Sequence, residues 1–365
     1  MNRLFDKNQI ALLILLIMRQ LFVVLGSCLF FSCSSDPSDT EIYEPVPLQI
    51  NIPENFPEIT YNFEANPITE AGFELGKKLF YEGKLSVNNA VSCGVCHEQA
   101  FAFTHHGHTF SQGVSEDSGT RNSLPIQNLA FQSSFMWDGI SGNLDFQPII
   151  PITSEIEMGE TLANIITKLS AEKYYQNQFA RAFEDGEVSA ENLLKALSQF
   201  MLMMTSTNSK YDKHVRNEEG GEMTAIETDG MGIFQNKCAT CHATDLFTDE
   251  SFRNTGLPIN PRIGDKGRYN VLELEEDSYK FKVPSLRNVG VTQPYMHDGR
   301  FTTLEVVLDF YDSGIVDNGN VDEILLKEDG TYGISLTDYE KESIISFLNT
   351  LTDNDFLEDE RFSEF

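Results

Sequence analysis

One five-residue pattern, C-x-x-C-H, occurs twice in this chain of 365 residues. It spans Cys93–His97 and again Cys238–His242, with 145 residues between the two starting points. In this pattern two thiols form thioether bonds to a porphyrin, and the adjoining imidazole becomes an axial ligand of the iron. The repeat therefore predicts two covalent haem c groups, held through Cys93, Cys96 and His97 and through Cys238, Cys241 and His242.

A zinc site or a redox disulfide is the alternative for a C-x-x-C pair, and the two motifs together could supply four thiolates to one zinc ion. Two features favour haem. A histidine follows the second cysteine in both motifs, and the N-terminus has the pattern of an export signal. The other two of the six cysteines lie in that N-terminal segment, so no cysteine remains for a structural disulfide in the mature protein.

The segment of residues 1–33 resembles a bacterial lipoprotein signal peptide. Its apolar runs, Ile10–Met18 and Leu21–Phe31, are each shorter than the ~20 residues that span a bilayer. We expect a lipid on Cys33 and a periplasmic protein anchored at the outer membrane. Cys28 fits the usual cleavage box more closely, but cleavage there would leave apolar residues on the mature chain. An ordinary cleaved signal without lipid is the other alternative.

Charge and composition restrict the partners and the architecture. The net charge of −30 argues against binding to nucleic acid and favours a cationic or neutral partner. Residues 34–66 are rich in proline and acidic residues and are expected to form a flexible tether. A Gly- and Glu-rich stretch, residues 217–222, then separates an N-terminal haem domain (67–216) from a C-terminal one (217–365).

Apolar periodicity predicts a mainly α protein with long loops. The predicted helices are Glu70–Phe80, Thr161–Phe183, Ala190–Met204, Thr224–Gln235, Thr303–Phe310 and Leu336–Leu351, the last capped by Thr337.

An internal repeat carries more information than any single helix. Gly76-x-x-Leu79-Phe80 precedes the first haem motif, and Gly230-x-x-Ile233-Phe234 precedes the second. Downstream, a Met-x-Asp-Gly segment begins at Met136 and again at Met296, and a leucine follows each at the same distance. Two cytochrome c-like domains produced by duplication, each with one covalent haem, explain this order.

Together these motifs resemble those of the bacterial di-haem cytochrome c peroxidases and of the related di-haem enzyme that matures tryptophan tryptophylquinone. The resemblance runs from about Gly72 to Leu351. Its motifs are Ser92–His97, Gly119–Ser123, Met136–Gly139, Glu157-Met158, Lys237–His242, Val283–Asn288 and Pro294–Gly299. It implies a peroxidase that reduces hydrogen peroxide to water with electrons from a small cytochrome c or cupredoxin, and it allows a homodimer without requiring one.

The resemblance also implies roles for single residues. The haem on His97 would react with peroxide, and the haem on His242 would receive electrons from the donor. Trp137 matches the tryptophan between the haems. Gln147 and Glu157 match the polar residues of the distal pocket, where the glutamate moves a proton. On residue type alone, Trp137 could be a core residue and Glu157 a surface carboxylate.

A calcium ion between the haems is a further implication of the resemblance. Its ligands would be Asn122 and the backbone carbonyls of Thr292 and Pro294, and such oxygen ligands suit calcium.

Two departures from the family pattern concern the sixth iron ligands. Val114 occupies the place of a loop histidine that ligates the N-terminal haem of typical peroxidases, which suggests an open iron unless His105, His106 or His108 substitutes. Tyr311 occupies the place of the usual methionine at the second haem and resembles the quinone-maturing enzyme. Tyr311 could instead be a packing residue, with Met296 or another side chain as the ligand. A di-haem oxidase of a protein or organic substrate, and a non-enzymatic electron carrier, are therefore the alternative functions.

Overall fold

The computed structural model describes residues 43–115 and 119–364, which are mainly helical. The predicted signal peptide with Cys28 and Cys33, and the first part of the tether, lie outside these residues. None of the helices formed by the described residues has the length and apolar character that crossing a membrane requires.

Helices connected by long loops make up the fold. The α-helices are α1 (Glu70–Phe80), α2 (Cys93–Cys96), α3 (Ile149–Thr153), α4 (Leu162–Ser170), α5 (Lys173–Ala182), α6 (Ala190–Met203), α7 (Lys210–Val215), α8 (Ala225–Lys237), α9 (Tyr269–Leu272), α10 (Leu304–Asp309), α11 (Asp338–Asn349) and α12 (Asn354–Leu357). Short 3₁₀ turns occupy Gly83–Leu85, Gln99–Phe101, Leu129–Phe131, Leu144–Phe146, Glu275–Asp277, Val289–Val291 and Glu323–Leu325. A π-helical turn, Phe310–Gly314, continues α10. The strands β1 (Phe252–Arg253) and β2 (Phe281–Lys282) pair antiparallel, with Phe252 opposite Lys282.

The predicted helices are confirmed within two or three residues, with one exception. The segment of residues 161–183 is not continuous but divides into α4 and α5. Glu172, at the break, has an extended backbone (φ −108°, ψ 120°), and its carboxylate lies 3.1 Å from Lys84 Nζ. An apolar stripe that continues across both helices does not reveal such a break.

The first core forms where α1 packs against α6. A Cβ atom on Gly76 would lie 2.0 Å from the Ala196 carbonyl oxygen, so glycine permits this approach of the two helices. One turn further along each helix, the Phe80 ring centroid lies 5.2 Å from that of Phe200. The helix preceding the first haem motif is thus fixed by a helix more than 100 residues later.

The second core repeats this packing between α8 and α11. A Cβ atom on Gly230 would lie 1.9 Å from the Ser343 carbonyl oxygen, and the Phe234 ring centroid lies 5.3 Å from that of Phe347. Thr337 caps α11 through a reciprocal capping box, as its sequence position predicts. The sequence repeat therefore corresponds to a repeat of packing, although the domain boundaries themselves stay a prediction.

Buried polar contacts and the C-terminal segment connect the two cores. The fully buried Arg287 guanidinium pairs with both carboxylate oxygens of Asp212. At the end of the chain, Phe356 and Phe362 pack into the first core, beside Phe103. These connections hold the two haem-binding halves together.

Candidate haem and peroxide site

The first haem motif presents its ligands from a short helical turn. Cys93 and Cys96 lie on α2 with free thiols, and His97 follows directly. His97 Nδ1 lies 2.6 Å from the Phe103 carbonyl oxygen, so it donates there and leaves Nε2 for the iron. Burial lowers the pKa of His97 to about 4, which keeps the imidazole neutral, as a metal ligand must be.

The second motif has equivalent geometry. His242 Nδ1 lies 3.0 Å from the Phe247 carbonyl oxygen. The aromatic neighbours of the two histidines also correspond. The Phe80 ring centroid lies 6.5 Å from that of His97, and the Phe234 ring centroid lies 6.5 Å from that of His242. In both halves one imidazole nitrogen is fixed by a backbone carbonyl, and the residues present suit a covalently attached haem.

A large cavity adjoins the first motif and collects the residues that the sequence singled out. It encloses about 1630 Å³ of empty space, counting its open mouth. Cys93, Cys96 and His97 line it, as do Trp137, Gln147 and Glu157. Its other walls include the apolar side chains of Phe80, Leu129, Phe135, Leu144, Ile152, Met158, Leu197 and Met201. A mainly apolar space with two thiols and one imidazole at its wall fits a porphyrin.

Glu157 is positioned by the backbone around it. Its carbonyl oxygen accepts a hydrogen bond from the Val114 amide (2.8 Å), which ties it to the loop after the haem motif. Burial raises the pKa of the Glu157 carboxyl, partly offset by a hydrogen bond from Ser154. A carboxyl at a cavity wall can accept and release a proton, and a raised pKa favours its protonated form.

Gln147 follows the 3₁₀ turn Leu144–Phe146 and directs its amide at the cavity wall. Its Nε2 donates to the Met136 sulfur at 3.3 Å. A thioether is a weak acceptor, so this N–H can exchange its partner for an oxygen at little cost.

Trp137 is held from both halves of the molecule. Its indole N–H donates to the Asn122 carbonyl oxygen (2.8 Å), and its own carbonyl oxygen accepts from the Lys282 amide (2.7 Å). The next residue, Asp138, pairs with Arg121, which also binds Asp265 through two nitrogens. The tryptophan is therefore fixed at the cavity wall beside residues of the C-terminal half.

The three candidate loop histidines lie away from this cavity. The rings of His105 and His108 stack on each other at 4.2 Å, and His106 stacks on Phe101 at 3.8 Å. Among the described residues that line the cavity, His97 is the one histidine. Val114 packs beside Gly159, next to the Glu157 segment.

Tyr311 lies on the π-helical turn and is half-buried near the second motif. Burial raises the pKa of its phenol, and the thiols of Cys241 and Cys238 are its electrostatic neighbours. π-helical turns are frequent at functional sites, where they re-aim a side chain. This placement is compatible with a ligand of the second haem.

The three predicted calcium ligands belong to neighbouring loops. The Asn122 amide hydrogen bonds to the His297 carbonyl oxygen (2.8 Å), close in sequence to Pro294 and Thr292. The Asn122 side-chain nitrogen donates to two backbone carbonyls, those of His108 and Thr109. The described residues contain no cluster of three or more His, Cys, Asp or Glu side chains suited to a metal. A calcium site built on backbone oxygens stays a prediction.

Lys282 is a feature of the cavity wall that the sequence did not reveal. Its side chain is 6% exposed, and its ammonium donates to Gln132, to the Ser134 carbonyl and to Glu250. Nothing in a short Phe-Lys-Val strand marks the lysine as buried. The pairing of β1 with β2 brings it beside Trp137.

Comparison with known proteins identifies the family. A sequence profile described as di-haem cytochrome c peroxidase matches residues 70–220. The methylamine utilization protein MauG of Methylorubrum extorquens is 33% identical over 301 residues, which cover 81% of this chain and 82% of that protein. This chain belongs to the di-haem cytochrome c peroxidase family. The cytochrome c551 peroxidase of Pseudomonas aeruginosa is 27% identical over 85% of this chain and 84% of its own length.

Solved structures of this family share the fold. A MauG-like protein associated with microbial copper homeostasis aligns with 87% of this chain and 99% of its own, with a TM-score of 0.78 and 30% identity. The diheme peroxidase BthA of Burkholderia thailandensis covers 85% of this chain and 97% of its own, with a TM-score of 0.70 and 21% identity. The family predicted from the motifs is thus confirmed. Membership places the chain among oxidoreductases with two haem c groups.

Proposed function

We propose that this protein is an exported di-haem peroxidase, which reduces hydrogen peroxide to water with electrons from a small cytochrome or cupredoxin. The observation that supports this most is the meeting of His97, Gln147 and Glu157 at one cavity. The bound haem would supply the iron at which the O–O bond is cleaved. The sequence features that favour export are the N-terminal signal and the haem motifs themselves.

The cavity residues can provide the proton chemistry. Reduction of one peroxide to two waters consumes two electrons and two protons. Glu157 can take a proton from one peroxide oxygen and return it to the other, because it is a carboxyl at the cavity wall whose pKa is raised by burial. Gln147 can turn its N–H from the Met136 sulfur towards a peroxide oxygen and orient it.

Electrons would arrive through the C-terminal half. Trp137, held between both halves, offers an aromatic bridge towards the first cavity. Around Tyr311, residues 301–334 contain eight acidic residues and one lysine. Ile334 of this segment donates its amide to the Tyr311 carbonyl oxygen. Three of these carboxylates pair with cations outside the segment, Asp309 and Asp312 with Lys341 and Asp322 with Arg253. The remaining negative charge attracts a cationic electron donor.

Replacement of Glu157 tests the proposal. Glu157→Gln keeps the shape of the side chain but removes the titrating group, so peroxide turnover should fall by about 10²–10⁴-fold while both haems stay attached. The matched control is Glu155→Gln, two residues earlier and exposed. Turnover of Glu157→Gln equal to that of the control would contradict the role of Glu157.

A MauG-like oxidase of a protein or organic substrate is the second candidate, favoured by Tyr311. The relative MauG is named for methylamine utilization, and it is 33% identical to this chain. The two functions differ in the fate of the electrons. A peroxidase oxidises two equivalents of reduced donor per peroxide, whereas an oxidase leaves the donor reduced and oxidises another substrate. A carrier without peroxide reactivity is the third candidate.

The proposed protein consists of two haem domains, residues 67–216 and 217–365, with a lipid anchor and a calcium site in addition. A lipid on Cys33 would anchor the mature protein at the outer membrane, and mass spectrometry of the mature N-terminus tests it. Calcium at Asn122, Thr292 and Pro294 would be lost to a chelator.

A further inference from the structure

Lys282 is a buried cation at the contact between the two haem-binding halves, and its side chain is 6% exposed. Its ammonium donates to Gln132 Oε1 (2.8 Å), to the Ser134 carbonyl oxygen (2.5 Å) and to Glu250 (3.0 Å). Three oxygen acceptors around one nitrogen use all three N–H groups of an ammonium, whereas a neutral amine has only two. Burial lowers the pKa of Lys282, and the Glu250 carboxylate opposes this shift.

The Lys282–Glu250 ion pair connects the two haem sites. Lys282 lines the cavity of the first motif together with Trp137, and its partner Glu250 does not line that cavity. Glu250 belongs to the segment after the second motif, in which the Phe247 carbonyl fixes the His242 imidazole. The pair therefore joins the loop of one haem motif to the cavity of the other, with the cation on the cavity side.

The same ion pair fixes the residues that lead into Trp137. The Glu250 carboxylate accepts from the Ser133 amide (3.0 Å) and the Ser133 hydroxyl (2.9 Å). The Lys282 ammonium binds the carbonyl of the next residue, Ser134, and the Lys282 amide donates to the Trp137 carbonyl (2.7 Å). Two charged side chains of the C-terminal half thus hold consecutive residues before the tryptophan.

The internal repeat indicates that the backbone contact alone suffices to join the halves. Lys282 and Asn122 are equivalent, because they are separated by as many residues as His297 and Trp137. The Asn122 amide donates to the His297 carbonyl (2.8 Å), just as the Lys282 amide donates to that of Trp137. The Asn122 side chain, however, is neutral and donates to carbonyls of its own half. The tryptophan turn therefore has an ionic contact that the equivalent residue does not give the His297 turn.

A buried ion pair is a poor source of stability, because apolar residues in its place are often neutral or stabilising. We propose that Lys282 is a positioning residue for electron transfer between the haems, and that its charge raises the reduction potential of the haem on His97. A nearby cation opposes the higher positive charge of ferric iron, whereas an unpaired carboxylate favours it.

The transfer itself moves one electron and no proton. The iron held by His242 is oxidised, the iron held by His97 is reduced, and no bond forms or breaks. The inference rests on the proposed function for this direction of electron flow.

Two substitutions of opposite charge test the proposal in the full di-haem protein, with spectroscopic redox titration of both haems as the readout. Lys282→Met leaves Glu250 unpaired and should lower the potential of the haem on His97, so that its equilibrium constant for reduction falls about tenfold. Glu250→Gln leaves the ammonium unpaired and should raise that constant about tenfold. The double variant should return close to the wild type. Loosened packing alone would shift the potential in the same direction in both single variants.

Lys280→Met is the matched control. It removes the same charge two residues earlier, from a partly exposed pair with Asp277 (3.4 Å) that does not line the cavity. Both potentials should stay at the wild-type values. Flash photolysis of the half-reduced protein then measures the positioning role, since Lys282→Met should slow electron transfer between the haems and Lys280→Met should not.

The outcomes separate this inference from the proposed function. Unchanged potentials in both single variants, shifts of the same sign, or an unaltered transfer rate in Lys282→Met overturn the inference. If Lys282→Met loses its haems, Glu250→Gln decides, because a raised potential supports the inference and any other result overturns it. Opposite shifts in a protein whose wild type never turns over peroxide would refute the peroxidase proposal and leave the role of Lys282 standing. Peroxide turnover with unresponsive potentials would refute the role of Lys282 alone.

Discussion

Loss of the Arg287 side chain should destabilise the protein strongly, because its charge is fully buried and paired. Its guanidinium is fully buried and donates four hydrogen bonds, to the Asp212 carboxylate (2.9 and 2.5 Å) and to the carbonyl oxygens of Ser206 (3.1 Å) and Asp245 (2.8 Å). Arg287→Met leaves a buried carboxylate without its cation, for which about 3–5 kcal/mol is typical. The carboxylate keeps its hydrogen bonds from Ser209, so the lower half of that range is expected.

Replacement of Arg287 should also destabilise the wall of the haem cavity. The Arg287 carbonyl oxygen accepts from Gln127, which lines the cavity of the first motif, and Ser285 nearby lines it too. Denaturant unfolding followed by Trp137, the one tryptophan of the chain, measures the effect next to that cavity. A loss of about 3 kcal/mol corresponds to an unfolding constant roughly two orders of magnitude larger.

Two further variants make the test specific to the buried ion pair. Lys195→Met removes the cation of an exposed helical pair with Glu191 and should cost only about 0.3–0.5 kcal/mol. Arg287→Met combined with Asp212→Leu removes both buried charges and should be more stable than Arg287→Met alone. An Arg287→Met protein within 1 kcal/mol of the wild type would refute the reasoning, since ~1 kcal/mol is the upper range of an exposed pair.

Three further predictions concern packing, electron transfer and pH. Gly230→Ala should destabilise the protein by about 1–3 kcal/mol, because its Cβ would meet the Ser343 carbonyl at 1.9 Å. Gly232→Ala, in the same helix with open space around it, should gain up to about 1 kcal/mol; denaturation measures both. Trp137→Phe should slow electron transfer between the haems, measured by flash photolysis, with haem content unchanged; an unaltered rate would exclude the bridge. Because the folded state keeps the Glu157 proton at pH values where the unfolded chain has lost it, the free energy of unfolding should fall as pH rises through that window. In Glu157→Gln the free energy of unfolding should fall less steeply with rising pH than in the wild type, which denaturation at several pH values measures.

The repeat made much of the fold predictable from sequence. The repeat includes Gly76 and Gly230, and both lie at close helix contacts, in line with the packing reason that a glycine inside a helix usually has. The break between α4 and α5 was not predictable, since apolar periodicity does not mark where one helix ends and the next begins along the same stripe.

The candidate site was predictable only where a family motif marked it. Glu157 and Gln147 are ordinary polar residues in isolation, and the cavity that unites them forms from segments on either side of Trp137. Lys282 carries no motif, and its burial follows from strand pairing and from contacts with residues ~150 positions earlier in the chain. Contacts between residues so far apart in the sequence produce no local periodicity from which the burial of Lys282 could be predicted.

The two haem-binding halves repeat the same helix packing and the same fixing of the proximal imidazole, so the functional difference that we propose between them must come from side chains that the repeat does not share. At the place of Gln147 the second half has Val307, which can neither donate to nor accept from a peroxide oxygen. Fourteen residues after His297 it has Tyr311, whereas the first half has Pro151 fourteen residues after Trp137. The local backbone differs as well, since Gln147 follows a 3₁₀ turn whereas Val307 lies within α10. A duplicated electron carrier can therefore become an enzyme by changes at the distal wall of one copy, while the other copy continues to transfer electrons.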